Sequence, residues 1–400
     1  MAEWNKYTVA DVISAVIDYR GKTPKKLGGD WSDHGYRALS AKNVKTGKIV
    51  NSDSIRYVSQ ELYNHWMKEE IEKEDILITS EAPFGQIYYW DSNEKIVLSQ
   101  RLFAVRIRKE FYPKYIYFYM TSSAFQAELN SRATGTTVTG LRQPELLKCK
   151  ILAPDYNEQK RIADILWSME KKLDLNEEIN NNLLEQAITL YRERFESDKS
   201  LTKGKISDIA LNVTDGVHNT VIDDPNGDYF LLSCKNIKGG TLSIGSSERR
   251  INKSTFEKLR KRTKLSKGDI LISSVGTIGE VFMLNTEPSH YEFQRSVAIV
   301  KPNFELVSSP YLYLSLLTKK SELINAAHGA VQQCLFISDI AEFPILIPQK
   351  EDMIEFTKLV VPMFDMITEN ENENMRLSSV RDALLPKLMS GEIDVSDIKV

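Results

Sequence analysis

Two long stretches of the chain repeat apolar residues at the spacing of an amphipathic helix. The first runs from Asn157 to about Ser197 without a glycine or proline, and the second runs from about Phe356 to Leu388. Residues three, four or seven positions apart lie on one side of a helix, so each stretch predicts a long helix with an apolar seam. The seam positions are Ile162, Leu166, Met169, Leu173, Leu183, Ala187 and Leu190 in the first and Phe356, Val360, Met363, Ile367, Leu377, Leu384 and Leu388 in the second. Seams of this kind are typical of coiled coils.

Both predicted helices become polar near the middle, at matching positions. Asn176 corresponds to Asn370, and Asn180 corresponds to Asn374. An asparagine at a seam position lowers stability but specifies register and partner, which favours antiparallel pairing of the two helices. The alternative is two separate surface helices. Pro362 interrupts the second helical pattern, so we expect it to kink that helix or to mark its true start.

The regions before and between the long helices contain shorter apolar stretches. β-Branched and aromatic residues predict strands at residues 76–78, 86–90, 101–107, 270–272 and 296–300. A proline near the start predicts helices at residues 112–120 and 310–317, whose tyrosines we expect in the core. Each region therefore predicts a globular domain of the mixed α/β (α+β) class.

The two globular regions repeat one another at a distance of domain size. Asp75 is matched 194 positions later by Asp269, each two residues after a lysine and directly before an apolar strand, and residues 39–44 match residues 232–237. The same offset relates Gly85 to Gly279, Gln100 to Gln294, Arg101 to Arg295, Gly135 to Gly329 and residues 151–154 to residues 345–348. This spacing excludes solenoid repeats, whose units have about 20–50 residues. It predicts two similar domains with a pseudo-twofold internal repeat, and such a protein suits a ligand of two parts.

The composition is that of an ordinary globular protein, with 42% hydrophobic and 27% charged residues. No apolar run is long enough to cross a membrane and no secretory leader is apparent, so we expect a cytoplasmic protein. Cys149, Cys234 and Cys334 are scattered and lack metal-ligand spacing, which argues against a disulfide framework and against a metal site.

Charge alternates along the chain. The overall net charge is −3, but residues 1–150 carry +4, residues 151–200 carry −4, residues 201–349 carry +2 and residues 350–400 carry −5. Each basic excess is too small to indicate DNA binding alone. The alternation instead indicates two mildly basic domains and two acidic helical segments.

The sequence lacks the motifs of catalysis. It contains no Walker loop, no asparagine-proline-proline-aromatic loop of an amino methyltransferase, and no spaced histidine pair. Gly276 and Gly279 are two glycines without the strand–loop–helix context of a dinucleotide site. Asp155 and Glu158 are too close in sequence for a nuclease site built from separate strands, and the second copy has Gln349 in place of Asp155. We therefore expect a chain that is not an enzyme.

Residues able to hydrogen-bond to base edges gather in loops at matching places in both copies. The candidates in the first copy are Arg20, Lys22, Thr23, Ser40, Lys42, Asn43, Ser80, Glu81, Gln100, Arg101, Thr136, Thr137 and Arg142. Those in the second copy are His218, Asn219, Thr220, Ser233, Lys235, Asn236, Ser274, Thr277, Gln294, Arg295, Gln332 and Gln333. For any single loop, a turn held by its own side chains is an equally good interpretation. Shared positions with different side chains predict that each copy reads a different short sequence.

The chain resembles a known family, the specificity (S) subunits of type I DNA restriction-modification systems. The resemblance covers nearly the whole length. It rests on residues 39–44 and their twin, on Lys267–Ser273, on Glu158–Ile162 after Pro154, and most sharply on Arg381–Glu392. The second copy departs from the pattern, because Asp352 and Met353 replace the glutamate–glutamine pair at the start of the helix.

The resemblance implies two target-recognition domains separated by two long antiparallel coiled-coil helices. The implied boundaries are 1–155 and 199–349 for the domains, 156–198 and 350–390 for the helical regions, and 391–400 for a tail. Each domain would read one half of a bipartite, asymmetric double-stranded DNA target. The helices would hold the domains apart and dock two methyltransferase (M) subunits, and restriction (R) subunits would join them. S-adenosylmethionine would belong to the M subunits, ATP and Mg to the R subunits, and none to this chain.

We expect further residues to contact DNA phosphates or to bind partner subunits. Candidate phosphate contacts are Lys22, Lys25, Lys26, Lys45, Arg249, Arg250, Arg260, Lys261 and Arg262. Candidate partner-binding residues are Asn176, Asn180, Asn181, Asn370, Asn374 and Arg381. The main alternative function is a two-headed protein-binding scaffold, whose binding to duplex DNA would not depend on salt. A DNA enzyme acting alone is the second alternative.

Overall fold

The computed structural model describes residues 4–134, 139–198, 200–245, 247–329 and 333–395. The chain divides into two compact units. Unit 1 is Met1–Asp174 with Met375–Val400, and unit 2 is Leu175–Asn374. The divisions fall inside the long helices, so each unit contains one globular region and part of each helix. The sequence-based domain boundaries stay predictions.

The strands and short helices of unit 1 come first in the chain. The strands are β1 (Asn5–Thr8), β2 (Ile13–Asp18), β3 (Tyr36–Leu39), β4 (Val44–Lys45), β5 (Lys48–Ile49), β6 (Arg56–Val58), β7 (Ile76–Thr79), β8 (Ile87–Tyr89), β9 (Val97–Leu98), β10 (Leu102–Ile107) and β11 (Lys150–Ala153). The helices are α1 (Val9–Val12), α2 (Gln60–Trp66), α3 (Pro113–Thr121), α4 (Ser123–Ser131) and α5 (Gln143–Leu147). The long helix α6 (Tyr156–Tyr191) follows and ends in a π-helical turn, Arg192–Glu196.

Unit 2 repeats this order. Its strands are β12 (Thr202–Lys205), β13 (Ala210–Asp215), β14 (Tyr229–Leu232), β15 (Ile237–Lys238), β16 (Thr241–Leu242), β17 (Arg250–Ile251), β18 (Ile270–Ser273), β19 (Val281–Met283), β20 (Tyr291–Phe293), β21 (Val297–Pro302) and β22 (Pro344–Ile347). Its helices are α7 (Ile206–Ile209), α8 (Lys253–Thr263), α9 (Ser309–Thr318), α10 (Lys320–Asn325) and α11 (Ile337–Ala341), followed by the long helix α12 (Lys350–Ser390).

Both units have the same sheet topology. An antiparallel four-stranded sheet has the order β2-β10-β7-β8 in unit 1 and β13-β21-β18-β19 in unit 2. Three-stranded sheets have the orders β6-β3-β9 and β17-β14-β20, each with one antiparallel and one parallel pair. The predicted strands and helices are therefore present, and the predicted internal repeat and mixed α/β class are confirmed.

The tyrosines of α3 and α9 are core residues, as predicted. Tyr115 and Tyr311 are fully buried and donate hydrogen bonds to the carbonyl oxygens of Leu152 and Leu346, at 2.8 and 2.6 Å. A buried phenol needs such a partner for its hydroxyl. Each tyrosine therefore ties its helix to the strand that precedes a long helix.

The repeated aspartate before β7 and β18 is a buried ion-pair partner. Asp75 accepts hydrogen bonds from Arg106 Nε and Nη2 at 2.9 and 2.8 Å, and Asp269 pairs with the ammonium of Lys301. Burial raises the pKa of Asp269, and the adjacent Lys301 opposes that rise. Arg106 lies on β10 and Lys301 lies on β21. Each ion pair therefore connects the turn before β7 or β18 to the neighbouring strand of the same sheet.

The long helices pair antiparallel within each unit. In unit 1, Arg381 Nη1 lies 2.9 Å from Glu170 Oε1. In unit 2, Asn370 Nδ2 donates to Asn180 Oδ1 at 2.8 Å, and a second asparagine pair crosses the seam one turn away. Residue numbers rise along α6 as they fall along α12, so the predicted antiparallel pairing with asparagines at the seam is confirmed.

Helix α12 passes through Pro362 without ending. It begins at Lys350, so the expectation that Pro362 marks its true start is wrong. Proline removes the N–H that would bond to the carbonyl of Lys358. Both Pro362 and Lys358 are exposed, so water can satisfy that carbonyl oxygen and the helix continues.

The described part of the chain contains three free cysteines and lacks any helix long and apolar enough to cross a membrane. Within the same residues, no group of three or more His, Cys, Asp or Glu side chains could hold a metal ion.

Candidate nucleic-acid interface

Three loop positions meet at one edge of the four-stranded sheet in unit 1. β2 ends at Asp18, β7 is followed by Ser80, and β10 begins directly after Arg101. β10 is antiparallel to both neighbours, so the end of each neighbour lies beside the start of β10. The sheet thus gathers side chains that are distant in sequence.

A cleft of about 710 Å³, here called cleft 1, opens at this edge. It is lined by Asp18, Arg20, Gly21, Thr23, Lys26, Ser80, Glu81, Gln100 and Arg101. All of these except Asp18 and Gly21 were predicted as DNA contacts from sequence. The structure therefore brings six of the thirteen first-copy candidates, together with Lys26, into one concave surface.

Unit 2 has an equivalent surface of about 690 Å³, here called cleft 2. It is lined by Asp215, His218, Ser274, Val275, Gln294, Arg295, Ser296, Cys334, Leu335, Phe336, Ile337 and Ser338. His218, Ser274, Gln294 and Arg295 were predicted from sequence. The strand ends that form it are those of β13 and β18 together with the start of β21.

Arg101 is held in a strained conformation at cleft 1. Its φ is +62°, a left-handed value that costs a non-glycine residue about 1–3 kcal/mol. Ser80 accounts for the position, because its N–H and Oγ both donate to the Arg101 carbonyl oxygen, at 2.8 and 3.2 Å. The guanidinium is half-exposed and lies 3.0 Å from Glu81 Oε1. The chain thus uses the buried Ser80 to present Arg101.

Arg20 is also oriented by the chain. Its Nε and Nη2 donate to both carboxylate oxygens of Asp18, at 2.9 and 2.6 Å, and its Nη1 donates to the Leu141 carbonyl oxygen at 3.2 Å. Lys22 points elsewhere, because its ammonium donates to the Trp66 carbonyl oxygen at 2.8 Å and burial lowers its pKa. Lys22 is therefore a structural residue, a correction to its predicted DNA contact.

Cleft 2 is charged differently from cleft 1. The aspartate at the end of β2 pairs with Arg20, whereas Asp215 at the end of β13 lies beside an imidazole, with 2.6 Å between His218 Nε2 and Asp215 Oδ2. Arg295 is exposed and has no ion-pair partner among the described residues, because Val275 stands at the position of Glu81. Ser274 Oγ donates to the Arg295 carbonyl oxygen at 3.4 Å, as Ser80 does for Arg101. The Ser274 N–H instead donates to the Ser296 carbonyl oxygen at 3.0 Å, and Arg295 lacks the positive φ of Arg101, so the two arginines are held differently.

Asn43 and Asn236 are buried structural residues, which corrects their predicted role as base readers. Asn43 is 1% exposed, and its Oδ1 accepts from Ser40 N–H and Oγ at 3.1 and 2.8 Å. Asn236 is 3% exposed and accepts from Ser233 N–H at 2.9 Å. The repeated serine–lysine–asparagine motif therefore closes a turn, as serine and asparagine commonly do.

Several predicted contacts lie on the surface outside the linings of the two clefts. Lys42, Lys235, Asn219, Thr220, Thr277 and Gln333 are exposed, and Lys235 pairs with Glu248 at 3.0 Å. Arg142 is exposed. It lies beside cleft 1, because the N–H of the preceding Leu141 donates to the carbonyl oxygen of Ser80 at 2.9 Å. Thr136, Thr137 and Gln332 fall outside the described residues.

The predicted phosphate contacts divide into exposed and structural side chains. Lys25, Lys26, Lys45 and Lys261 are exposed. Arg249 pairs with Asp223, Arg250 donates to the Gly227 carbonyl oxygen, and Arg262 donates to the carbonyl oxygens of Asp215 and Gly216. The predicted phosphate contact of Arg260 is corrected, because its guanidinium pairs with the fully buried Glu292. Arg262 instead fixes the end of α8 to the loop that borders cleft 2.

Cleft 2 is also lined by Cys334, Phe336 and Ser338, which were not predicted from the sequence. Phe336 is half-exposed, which is unusual for a large aromatic ring. The repeat offset of 194 relates Phe336 to Arg142, so aligning the two copies through this loop would have found it.

The candidate partner-binding side chains are mostly used inside the chain. Asn176 Nδ2 donates to Asn374 Oδ1 at 2.9 Å and to Glu373 Oε2 at 2.7 Å, and Asn180 pairs with Asn370. Arg381 pairs with Glu170 and Asp382, and Asn181 is exposed. Docking by these residues stays a prediction.

Comparison with known proteins identifies the family. Residues 1–185 and 205–374 match the family described as Type I restriction modification DNA specificity domain. The chain belongs to this family. The family is defined by DNA specificity, so the predicted family and the predicted non-catalytic specificity role are both confirmed.

Relatives match this family member over most of their length. It is 26% identical to the type I restriction enzyme MjaIX specificity subunit of Methanocaldococcus jannaschii, over 94% of this chain and 87% of that protein. It is 20% identical to the type I restriction enzyme EcoBI specificity subunit of Escherichia coli, over 88% and 79%. The crystal structure of the type-I restriction-modification system S subunit from M. genitalium shares the fold, with a TM-score of 0.62 at 15% identity, covering 97% of this chain and 96% of that one.

Proposed function

We propose that this specificity subunit selects a bipartite, asymmetric DNA sequence, and that cleft 1 and cleft 2 each read one half. The observation that carries the proposal is a glutamine–arginine pair at the same sheet edge in both units, with different neighbours. Arginine can bond two acceptors on guanine and glutamine can bond adenine, so this pair suits base edges in the major groove. Glu81 beside one arginine and Val275 beside the other would make the two readers unequal.

Phosphate contacts would come from exposed lysines beside each cleft. Lys26 lines cleft 1, and Lys25 is exposed in the same turn. Helix α8 carries the exposed Lys258 and Lys261, and Arg262 joins its end to the border of cleft 2. Contacts of this kind position a protein on DNA without reading its sequence.

The proposal includes partners that this chain would bring to DNA. Two methyltransferase subunits would carry S-adenosylmethionine, and restriction subunits would carry ATP and Mg, because the relatives are named as specificity subunits of type I restriction enzymes. The acidic helical regions 156–198 and 350–390, around the exposed Asn181, are the proposed dock. The complex would act on DNA in the cytoplasm.

A binding experiment with the chain and its methyltransferase subunits tests the proposal. The target is identified by mapping methylated adenines in the host genome. Binding to a duplex with that target should weaken steeply as salt rises, because phosphate contacts release counterions. Replacing residues 201–349 with the equivalent region of a relative should change one half of the methylated sequence only. Binding that ignores salt and sequence would instead favour the two-headed protein scaffold.

A second prediction concerns the spacer between the two half-sites. If the long helices set the distance between domains, inserting about four residues, close to one turn, into both should lengthen the spacer. The insertions belong at matched seam positions, after Asn176 and before Asn374, so that the pairing outside them is kept. The same methylation map is the measurement, and an unchanged spacer with unchanged half-sites would contradict the prediction.

A further inference from the structure

Unit 2 contains a cavity of about 390 Å³ beside its helix pair, separate in lining from cleft 2. Helices α6 and α12 form one wall, and α9, β19 and the turn at Gly239 and Gly240 form the others. Its lining includes Glu371, Tyr313, Phe282, Phe364, Asn181 and Asn285. The volume is within the range of sites that hold small ligands. We call it the helix cavity.

The charge of the helix cavity is negative. Glu177 and Glu371 both line it, and no lysine, arginine or histidine is among the described residues of its wall. Glu371 is partly buried and has neither an ion-pair partner nor a hydrogen-bond partner within the described part of the chain. Burial raises its pKa. A carboxylate in this position is stabilised by a cation that the chain itself does not supply.

Tyr313 gives independent support for a ligand site in the helix cavity. The residue is 5% exposed and lines the cavity, and its hydroxyl makes no hydrogen bond to any described residue. A side chain placed on Gly240 would come within 3.1 Å of that hydroxyl, and Gly240 lines the cavity too. A phenol hydroxyl that lines the cavity without a partner can donate to or accept from a ligand atom placed there.

The walls also suit an organic cation. The Tyr313 and Phe364 rings meet edge to face, with centroids 5.7 Å apart, and Phe282 adds a third aromatic side chain. Aromatic faces attract ammonium groups and pack well against methylene chains. Ca²⁺ takes six or more oxygen ligands, and Mg²⁺ demands near-ideal octahedral geometry. The described lining offers only two carboxylates, and no group of three or more His, Cys, Asp or Glu side chains in the described residues could hold a metal ion.

The equivalent cavity of unit 1 contains its own cation. It is lined by Tyr117, Gly47 and Asp91, the counterparts of Tyr313, Gly240 and Asn285, and its volume is only about 50 Å³. Lys171 Nζ lies 3.1 Å from Asp91 Oδ2 and 4.8 Å from the centre of the Trp167 ring. An alkyl ammonium between a carboxylate and an aromatic ring thus fills this place in unit 1.

Unit 2 has lost that internal cation. By the repeat offset, Asp365 stands where unit 1 has Lys171, and Asn285 stands where it has Asp91. Lys73, which also pairs with Asp91 at 3.2 Å, corresponds to the exposed Lys267. The unit 2 cavity is instead lined by the carboxylates of Glu177 and Glu371 and by the rings of Tyr313, Phe282 and Phe364, with no ammonium group among its described lining residues.

We propose that the helix cavity of unit 2 binds a small alkyl ammonium ligand of the linear diamine class. One ammonium group would bond to Glu371 and to the Tyr313 hydroxyl, and the methylene chain would lie along Phe282 and Phe364. The second ammonium would face Asn181, Asn285 and solvent. The proposal goes beyond DNA recognition and does not depend on it, because neither cleft contributes to this site.

Calorimetry on the full chain with 1,4-diaminobutane tests the proposal, with 1,4-butanediol as the uncharged probe of the same length. We expect saturable, one-site binding of the diamine and none of the diol. Glu371→Gln keeps the shape and removes the charge, so it should weaken binding about 10- to 100-fold. Glu369→Gln, on the exposed side of the same helix, is the matched control and should bind like the unaltered protein.

A filling variant keeps the test decisive if Glu371→Gln alters folding. Asn285→Asp together with Asp365→Lys rebuilds the carboxylate and ammonium of unit 1 inside unit 2, and it should abolish diamine binding. Circular dichroism confirms that each variant is folded. The proposal is overturned if the diamine does not bind at millimolar concentration, if the diol binds equally well, or if the folded Glu371→Gln and filling variants bind like the unaltered protein.

Discussion

Replacing Arg260 with Met is expected to destabilise unit 2 by about 3–5 kcal/mol, because it leaves a buried carboxylate without its cation. Glu292 is fully buried on β20, where Arg260 Nε and Thr263 Oγ1 donate to it, the latter at 3.0 Å. Arg260 Nη2 also donates to the Tyr291 carbonyl oxygen at 3.0 Å. One side chain thus satisfies a buried acid and the backbone beside it.

Urea unfolding followed by circular dichroism measures this loss. All five tryptophans lie in unit 1, so their fluorescence shows separately whether unit 1 is affected. Lys258→Met on the exposed face of the same helix is the control and should change stability by less than about 0.5 kcal/mol. Equal stability of the Arg260 and Lys258 variants would show that Arg260 is a surface residue after all.

The defect should depend on pH and on Glu292. Burial raises the pKa of Glu292 even beside Arg260, and removing Arg260 raises it further. A carboxyl group with a raised folded-state pKa destabilises the protein when ionised, so the defect should shrink as pH falls from about 8 towards that pKa. Adding Glu292→Gln should recover most of the loss at neutral pH.

Arg295→Ala is expected to lose about 1–3 kcal/mol of binding free energy at one base pair, in one half of the target. Arg295 is exposed at cleft 2 without an ion-pair partner in the described residues, so its guanidinium is available for a base. Arg101→Ala should have the same kind of effect in the other half. Its loss should be smaller, because Arg101 must leave Glu81 before it can bind.

Competition binding against duplexes that each change one base pair measures both effects. Arg295→Lys keeps the charge but loses the two-pronged geometry, so it should behave like Arg295→Ala at that base pair. Lys258→Ala is the matched phosphate control and should weaken all sequences alike. If Arg295→Ala also weakens every duplex equally, Arg295 contacts phosphate and does not read a base.

Local sequence patterns were sufficient for much of the fold and part of the interface. Runs of β-branched and aromatic residues predicted β10 and β21, and helical spacing predicted α6 and α12, because both patterns depend on neighbours along the chain. The repeat located Gln100–Arg101 and its twin, and the structure places both pairs at equivalent clefts. The repeat therefore predicted which loop residues lie together, and their contact with DNA stays a prediction.

The errors concern side chains whose partners are distant in sequence. Asn43 has the composition of a base reader, yet the folded turn buries its amide. Arg260 has the composition of a phosphate contact, yet it pairs with Glu292 across 32 positions. Pro362 resembles a helix start, yet it lies on an exposed face where its missing N–H costs little. Residue type alone does not distinguish these uses.

Sequence alone established the family, the duplicated α/β domains and the paired helices, because periodicity and repetition are properties of the chain itself. Tertiary structure decided which polar side chains face solvent. An arginine next to a buried glutamate is a structural residue, and an arginine beside a valine at a cleft is free to bind. Asp91 in unit 1 is neutralised by Lys171, and Glu371 in unit 2 has no ion-pair partner among the described residues. Those outcomes depend on contacts between segments that only folding brings together.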